Sequence, residues 1–358
     1  MSKKQVAYIA GIGMVTSVGA NFEMTAAAVK AGISGYAVSD FYGQADEPIT
    51  MASVPDSVFS EIDAEIDEGD RYNERHDRVI KMAIIAVREA CAQQSITQPI
   101  PLILAMAEEH DDSEGLSPLI TNLEHNCKPW VDSKNHRSIH SGRAAGMEAI
   151  DLAFRYLTDL EEDFILVGGS DSYRDYSRLD PLTQENRLLT TNSMDGFAPG
   201  EAGGFLLLTR HPELAMQQNG SIVALNIPGI ADEPGHIGSE VPYRGDGLDQ
   251  AFRKALVGCE ETKISSIYSS MNGENHWAKE YGVAYMRNKS AFSDQIRTEH
   301  PADCFGDVGV ASSPILIALA AENLNADPTE ISSLAYSSSD SAKRGAIVIE
   351  KTAVKAKH

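Results

Sequence analysis

The sequence predicts an α/β protein built from two similar halves, and three observations carry that prediction. Apolar runs of strand length alternate with longer helical stretches, the pattern of a largely parallel or mixed sheet covered by helices. A chain of 358 residues with 42% hydrophobic content can bury a large core. The most polar connection, HPELAMQQNGS at 211–221, falls between two sets of such runs and places the halves at residues 1–215 and 216–358.

In the first half, strands are expected at VAYIAGIG (6–13), PLILAMA (101–107), DFILVGGS (163–170) and GGFLLLTR (203–210). In the second they fall at SIVALNIPGI (221–230), ISSIYSSM (264–271), ISSLAYSS (331–338) and GAIVIEK (345–351). Helical spacing of apolar residues marks 77–93, 143–157, 247–258 and 313–324. No repeat of solenoid period and no low-complexity tract is present. The acidic run EIDAEIDEGD (61–70) reads as a solvated helix or loop.

A formal net charge of −22 opposes nucleic acid and anionic membranes as partners. No apolar run approaches the ~20 residues of a membrane helix. The opening MSKKQVAYIAGIG reads as a first core strand rather than an export signal, so a cytoplasmic location is expected. Cys91, Cys127, Cys259 and Cys304 show no CxxC pairing, which points to reduced thiols and away from zinc or disulfides. No metal or other cofactor is expected.

Three local signals carry less than they suggest. GIGMVTSVG (11–19) has a Gly-x-Gly pair, but its third glycine is misplaced for the dinucleotide fingerprint. AEEHDDSEG (107–115) sets His110, Asp111 and Asp112 side by side rather than on one face, the pattern of a solvated loop rather than a metal site. ENHWAKE (274–280) places Glu274, Asn275 and His276 just after a strand, where α/β folds put their sites.

The stretch IHSGRAAGMEAIDLA (139–153) opens a helix with Ala144, Ala145 and Gly146, small residues that allow close approach to its backbone. An arginine, Arg143, stands at its head. From Val6 to Ile349 the chain resembles the β-ketoacyl synthases of the thiolase superfamily. AYIAGIGMVTSVG with AAAVKAGISGY is similar to that family's opening strand, turn and first helix, and NERHDRVIKMAIIAVREA to its long helix. RLLTTNSMDGFAPGEAGGFLLLTR resembles its glycine-rich D-G-F-x-x-G-E-G-A-G segment. The resemblance implies a thiolase-like fold, two βαβ halves forming a five-layer α-β-α-β-α sandwich.

Synthases of this family use a cysteine at a helix start, where the dipole favours a thiolate, and two histidines that assist decarboxylation. Aligned on Gly146, Ala149, Ile150 and Ala153, the cysteine position falls on Arg143. The first histidine position falls on Asn272 in NGENH, the second on Asp307 in GDVGVASS, and Ala302 stands near the place of the family lysine. The glycine-rich oxyanion loop is matched by AYSSSDS, so Tyr336, Ser337, Ser338 and Asp340 remodel it.

The resemblance therefore implies a degenerate site and a non-catalytic protein. The expected roles are partner subunit, scaffold or adaptor, either like a chain-length factor or like a type VI secretion accessory. Its partner would be itself, a related synthase or a secretion component, and a dimer is expected because family members pair a strand across a two-fold axis. The chain is short for the family, which implies trimmed loops around the acyl tunnel. A guanidinium beside a helix amino terminus needs an anion, so an Arg143–Asp307 pair with a hydrogen bond from Asn272 is expected. Two other arrangements remain: Arg143 reaching solvent or a carbonyl, or Arg143 with Ser337 and Ser338 holding a phosphate or carboxylate. The alternative functions are an acyltransferase or 3-oxoacyl synthase using Ser141, His140 or His276, and a module that binds an acyl thioester or coenzyme A without turnover.

Overall fold

The computed structural model describes residues 5–63, 74–108, 116–191, 193, 195–259 and 262–354. His110, Asp111, Asp112 and residues 64–70 of the acidic run lie outside them. Thirteen strands are found among the described residues: β1 Val6–Thr16, β2 Ala37–Tyr42, β3 Pro48–Met51, β4 Leu102–Met106, β5 His136–His140, β6 Phe164–Ser172 and β7 Glu201–Thr209, followed by β8 Ser221–Asn226, β9 Gly229–Asp232, β10 Ile264–Ser269, β11 Phe292–Glu299, β12 Ser332–Ser338 and β13 Lys343–Ala353. The longer helices are α1 Phe22–Lys30, α2 Glu74–Ala92, α3 Leu116–Asn126, α4 Ala145–Asp159, α5 Tyr176–Gln184, α6 Asp246–Ala255, α7 Asn275–Arg287 and α8 Ser312–Ala326.

One sheet runs β11-β10-β12-β13-β8-β1-β7-β6-β4-β5, with β9 attached to β13. Outward from its centre, β1 meets β7 antiparallel, β7 meets β6 antiparallel, and β6, β4 and β5 are parallel. The second series, β8-β13-β12-β10-β11, repeats that sequence of orientations strand for strand. The series join where Val6–Tyr8 pairs antiparallel with Ala224–Asn226. Two structurally equivalent units therefore stand back to back.

Strand alternation sorts the core into three apolar layers. Inward side chains of both series, such as Ile165, Val167, Ala335 and Ile347, close around α4 and α8. The opposite face of the first series, with Leu166, Phe205 and Leu207, packs on α2 and α3. That of the second, with Leu334, Tyr336 and Val348, packs on α6 and α7. Helix, sheet, helix pair, sheet and helix give the five layers.

Small residues set these distances. A Cβ at Gly11 would lie 2.0 Å from the Ala90 carbonyl oxygen, and one at Gly13 would lie 1.9 Å from that of Ala86, so the Gly-x-Gly pair seats α2 on β1. A Cβ at Gly146 would meet the Cβ of Ser313 at 2.6 Å, which is why the head of α4 is small: α8 lies against it.

The structure corrects several expected boundaries. The run 221–230 divides into β8 and β9 around Pro228, which has no N–H for a continuous ladder. The expected helix at 143–157 begins as a 3₁₀ turn at Gly142–Ala144, with Gly142 at φ +66°, before α4 proper. The helix expected to reach 258 stops at Ala255, and Gly258 follows at φ +79°.

Candidate functional site

The carboxyl end of β5, the head of α4 and the segments after β10, β11 and β12 meet between the two units. Arg143 projects from the 3₁₀ turn into this junction and is 4% exposed. Its Nη1 donates to Asp307 Oδ2 at 2.5 Å, its Nη2 to Asp340 Oδ1, and its Nε to the Ser338 carbonyl at 2.8 Å. Asn272 Nδ2 donates to Asp307 Oδ2 at 2.8 Å, and the Gly309 N–H reaches Asp307 Oδ1 at 2.9 Å. Arg143, Asp307 and Asn272 thus come together as the sequence suggested they would.

Sequence reasoning named Glu274 and Asp340 in the other half of the cluster but missed Arg187 and Trp277, which join them. Arg187, from the segment after α5, donates through Nε and Nη2 to Glu274 at 2.7 and 3.0 Å, and through Nη1 to Asp340 Oδ2 at 2.7 Å. Glu274 also accepts from Asn272 Nδ2 at 3.1 Å and from the Trp277 indole at 2.9 Å. The Arg143 guanidinium lies 4.8 Å from the Trp277 ring centre, a cation–π contact. The available signal was ENHWAKE, whose Glu274 carboxylate and Trp277 indole precede or open α7 and face the cluster. Arg187 carried no local signal, because its partners lie 87 and 153 residues away.

Backbone geometry fixes Asp307. Its N–H donates to the Ala198 carbonyl at 2.9 Å, and its own carbonyl accepts from Gly200 N–H at 2.7 Å. Gly306, at φ +74°, leads into that bridge, and a Cβ there would stand 2.6 Å from the Ala198 oxygen. The glycine-rich segment 196–204 therefore clasps the carboxylate that faces Arg143.

Two guanidinia face three carboxylates. Burial opposes the Arg143 charge, but Asp307 and Asp340 outweigh it and raise its pKa well above the ordinary value. Burial pushes the Asp340 carboxyl up, while Arg143 and Arg187 pull harder and hold it well below the usual carboxylate range. The Asp340 side chain keeps 36% exposure, so it closes the cluster at the surface. The excess carboxylate and the engaged Arg143 disfavour an anionic guest.

The serines serve packing. Ser337 Oγ is bonded to Ser313 Oγ at 3.0 Å, and Ser313 Oγ donates to the Arg143 carbonyl at 2.8 Å. Ser339 Oγ accepts from Ala144 N–H at 2.9 Å. Ser338 Oγ donates to Glu280 at 3.2 Å. Tyr336 shares the outer face of β12 with Ser338, away from Ser337, and packs 5.4 Å from the Phe252 ring centre. Strand alternation in β12 sends it there.

Ser141, His140 and His276 share no hydrogen bond. Ser141 Oγ donates to Glu148, and His140 Nε2 bonds Ser138 Oγ at 3.0 Å within β5. His276 packs between Tyr243 and Trp277, with ring centres 4.8 Å away on each side. A different hydroxyl–imidazole pair lies nearer Asp307: Ser269 Oγ is 2.8 Å from His300 Nδ1 and also donates to the Glu299 carbonyl. Ser269 and Asp307 line a cavity of about 10 Å³, room for one water.

No protein-family model matches the chain, and no curated protein matches it. Solved structures do. The ishigamide ketosynthase/chain length factor superposes with a TM-score of 0.74 at 17% identity, over 97% of this chain and 99% of that one. The ketosynthase complex AntDE:AntF, a type II polyketide synthase acyl-carrier protein with its ketosynthase, gives 0.75 at 16%, over 99% and 100%. The module 6 ketosynthase of the bacillaene synthase from Bacillus subtilis 168 gives 0.75 at 14%, over 96% and 72%. The chain therefore has the thiolase-like fold of ketosynthases and chain length factors.

Proposed function

We propose that this chain is a non-catalytic thiolase-fold subunit that works through its surfaces as the partner of a ketosynthase, in the manner of a chain length factor. In this reading Arg143, Asn272 and Asp307 stand where a synthase carries its cysteine and two histidines. The observation that carries it is the Arg143 cluster: a guanidinium, held by two carboxylates and a carbonyl, fills the place a nucleophile would need. No thiol joins it, and burial pushes both Cys91, to about 12, and Cys304 upward, away from the reactive thiolate. The neighbouring space of about 10 Å³ has room for one water and is too small for an acyl chain.

Partnership has a structural basis in β5. Among the described residues it pairs only with β4, ends the sheet and leaves a polar, partly exposed edge, HRSIH. Such an edge is a template for strand addition across a two-fold axis. The test is to purify the tagged chain from its own cells, identify the co-purifying chain and rebuild the pair from isolated components. A stoichiometric complex with a ketosynthase that retains its cysteine supports the proposal. A chain that assembles only with itself, or with a component of another kind such as a secretion protein, overturns the ketosynthase partnership.

One observation favours a second reading, an acyltransferase with altered chemistry. The Ser269 hydroxyl lies 2.8 Å from His300 Nδ1, within the reach of a nucleophile–base pair once its proton turns from the Glu299 carbonyl to that nitrogen. Intact-mass analysis with acyl thioesters separates the two, because only the second reading yields an adduct, removable by Ser269→Ala.

A further inference from the structure

The edge strand β5 is held lightly along its length and firmly just beyond its end. Among the described residues it bonds β4 alone, in unbroken parallel register from Leu102↔His136 to Met106↔His140. Of its five side chains only Ile139 is apolar and packs on the core. Such a strand opens locally at low cost. The residues that follow it are tied instead to the second unit. The Ser339 hydroxyl donates to the Ser141 carbonyl and accepts from the Ala144 N–H at 2.9 Å. Ser313 Oγ donates to the Arg143 carbonyl at 2.8 Å, and the Arg143 side chain adds the Ser338 carbonyl, Asp307 and Asp340.

These ties act at short range on the strand. Arg143 follows His140 by three residues, at most about 10 Å of chain. Gly142 turns between them at φ +66°, and Ser141, Arg143 and Ala144 are all buried, so the turn passes the constraint to the strand. The groups that hold it lie 164 to 198 residues further along the chain, so the end of β5 is fixed by the docking of one unit on the other. Arg187 differs. It serves the same cluster through Glu274 and Asp340 but bonds no residue of 136–144.

We propose that Arg143 is a positioning residue for the partner-binding edge: with Ser339 it anchors the carboxyl end of β5 to the second unit, so the strand is ordered before the partner arrives. The use of the anchor rests on the partnership through β5 proposed above, while the anchoring itself belongs to the free chain. Ordering the strand in advance lowers the entropy lost on association. An edge that presents its N–H and C=O groups in a fixed register also favours one pairing over slipped ones. The cluster of charges at the junction thereby has a role in assembly that needs no chemistry.

The test combines amide hydrogen exchange of the free full chain with the dissociation rate of the pair rebuilt from this chain and its ketosynthase. Two variants break the anchor without stranding a charge, R143M/D307N and Ser339→Ala. The control, R187M/E274Q, neutralises the other pair of the cluster and leaves residues 136–144 untouched; in each double variant Asp340 keeps one arginine. Both anchor variants are expected to raise exchange of the β5 amides bonded to β4 by about fivefold or more, and to speed dissociation by about threefold or more. The control is expected to stay within about twofold of the parent in both. Unchanged β5 exchange in the anchor variants, or an equal rise in the control, overturns the proposal. So does raised exchange with unchanged dissociation, since the anchor then serves the fold and not the edge. A failure of the partnership reads differently, as no complex with the parent chain, and the exchange result still decides the anchoring.

Discussion

Replacing Arg143 by methionine removes the guanidinium and keeps a similar apolar stem. Asp307 is then left 3% exposed with its charge opposed only by hydrogen bonds from Asn272 and Gly309. A pair at ~4 Å in an effective dielectric near 20 is worth about 4 kcal/mol, and breaking one partner of a buried pair typically costs about 3–5 kcal/mol. For 358 residues the unfolding entropy is about 0.75 kcal/mol per kelvin, so the midpoint should fall by about 4–7 °C. The double variant R143M/D307N removes both charges and should recover at least ~2 kcal/mol of the loss, as neutralising both members of a buried pair is far cheaper than stranding one. Scanning calorimetry on the four proteins of this cycle provides the coupling. A loss below ~1 kcal/mol for R143M, or a double variant no better than the single, would refute the claim that Arg143 compensates a buried Asp307.

The remaining expectations concern packing, protons and assembly. Gly146→Ala gains about 1 kcal/mol of helix propensity but sets a methyl 2.6 Å from Ser313 Cβ, so urea unfolding should show a net loss of about 1–2 kcal/mol. Because burial and Arg344 lower the folded-state pKa of His276, the folded protein resists its protonation. Stability should therefore fall as pH drops below the unfolded value of about 6.5, and His276→Gln should flatten the midpoint-versus-pH curve between there and pH ~5. Asp340 has the opposite sign, its folded pKa being depressed, so its contribution persists above pH ~4 and fades only below it; Asp340→Asn should remove part of the acid-limb slope. Proline at Ser138, the midpoint of β5, removes a ladder donor and should convert a strand-paired dimer to monomer by light scattering.

The sequence made the fold legible where side-chain period and glycine spacing act locally. The apolar runs of β4, β6, β7, β12 and β13 announced themselves because both faces of each are buried. The strands β2, β5 and β11, partly exposed and polar, carried no such run and were missed. At the site, Arg143, Asn272 and Asp307 were found because a family resemblance supplied three fixed registers. Glu274 was singled out only by its position after a strand, and Arg187 and Trp277 not at all, since their roles arise only when segments distant in the chain converge. Tyr336 was placed in the site because alignment gives position along a strand, while pleating decides the face.

The central claim is that the junction between the two units holds no working nucleophile. Intact-mass spectrometry of the purified chain after incubation with acyl thioesters of graded length tests it most directly. The predicted result is an unchanged mass at every chain length, with Ser269→Ala indistinguishable from the parent. A stoichiometric acyl adduct, mapped to Ser269, Ser141 or any other side chain of that junction, would contradict it.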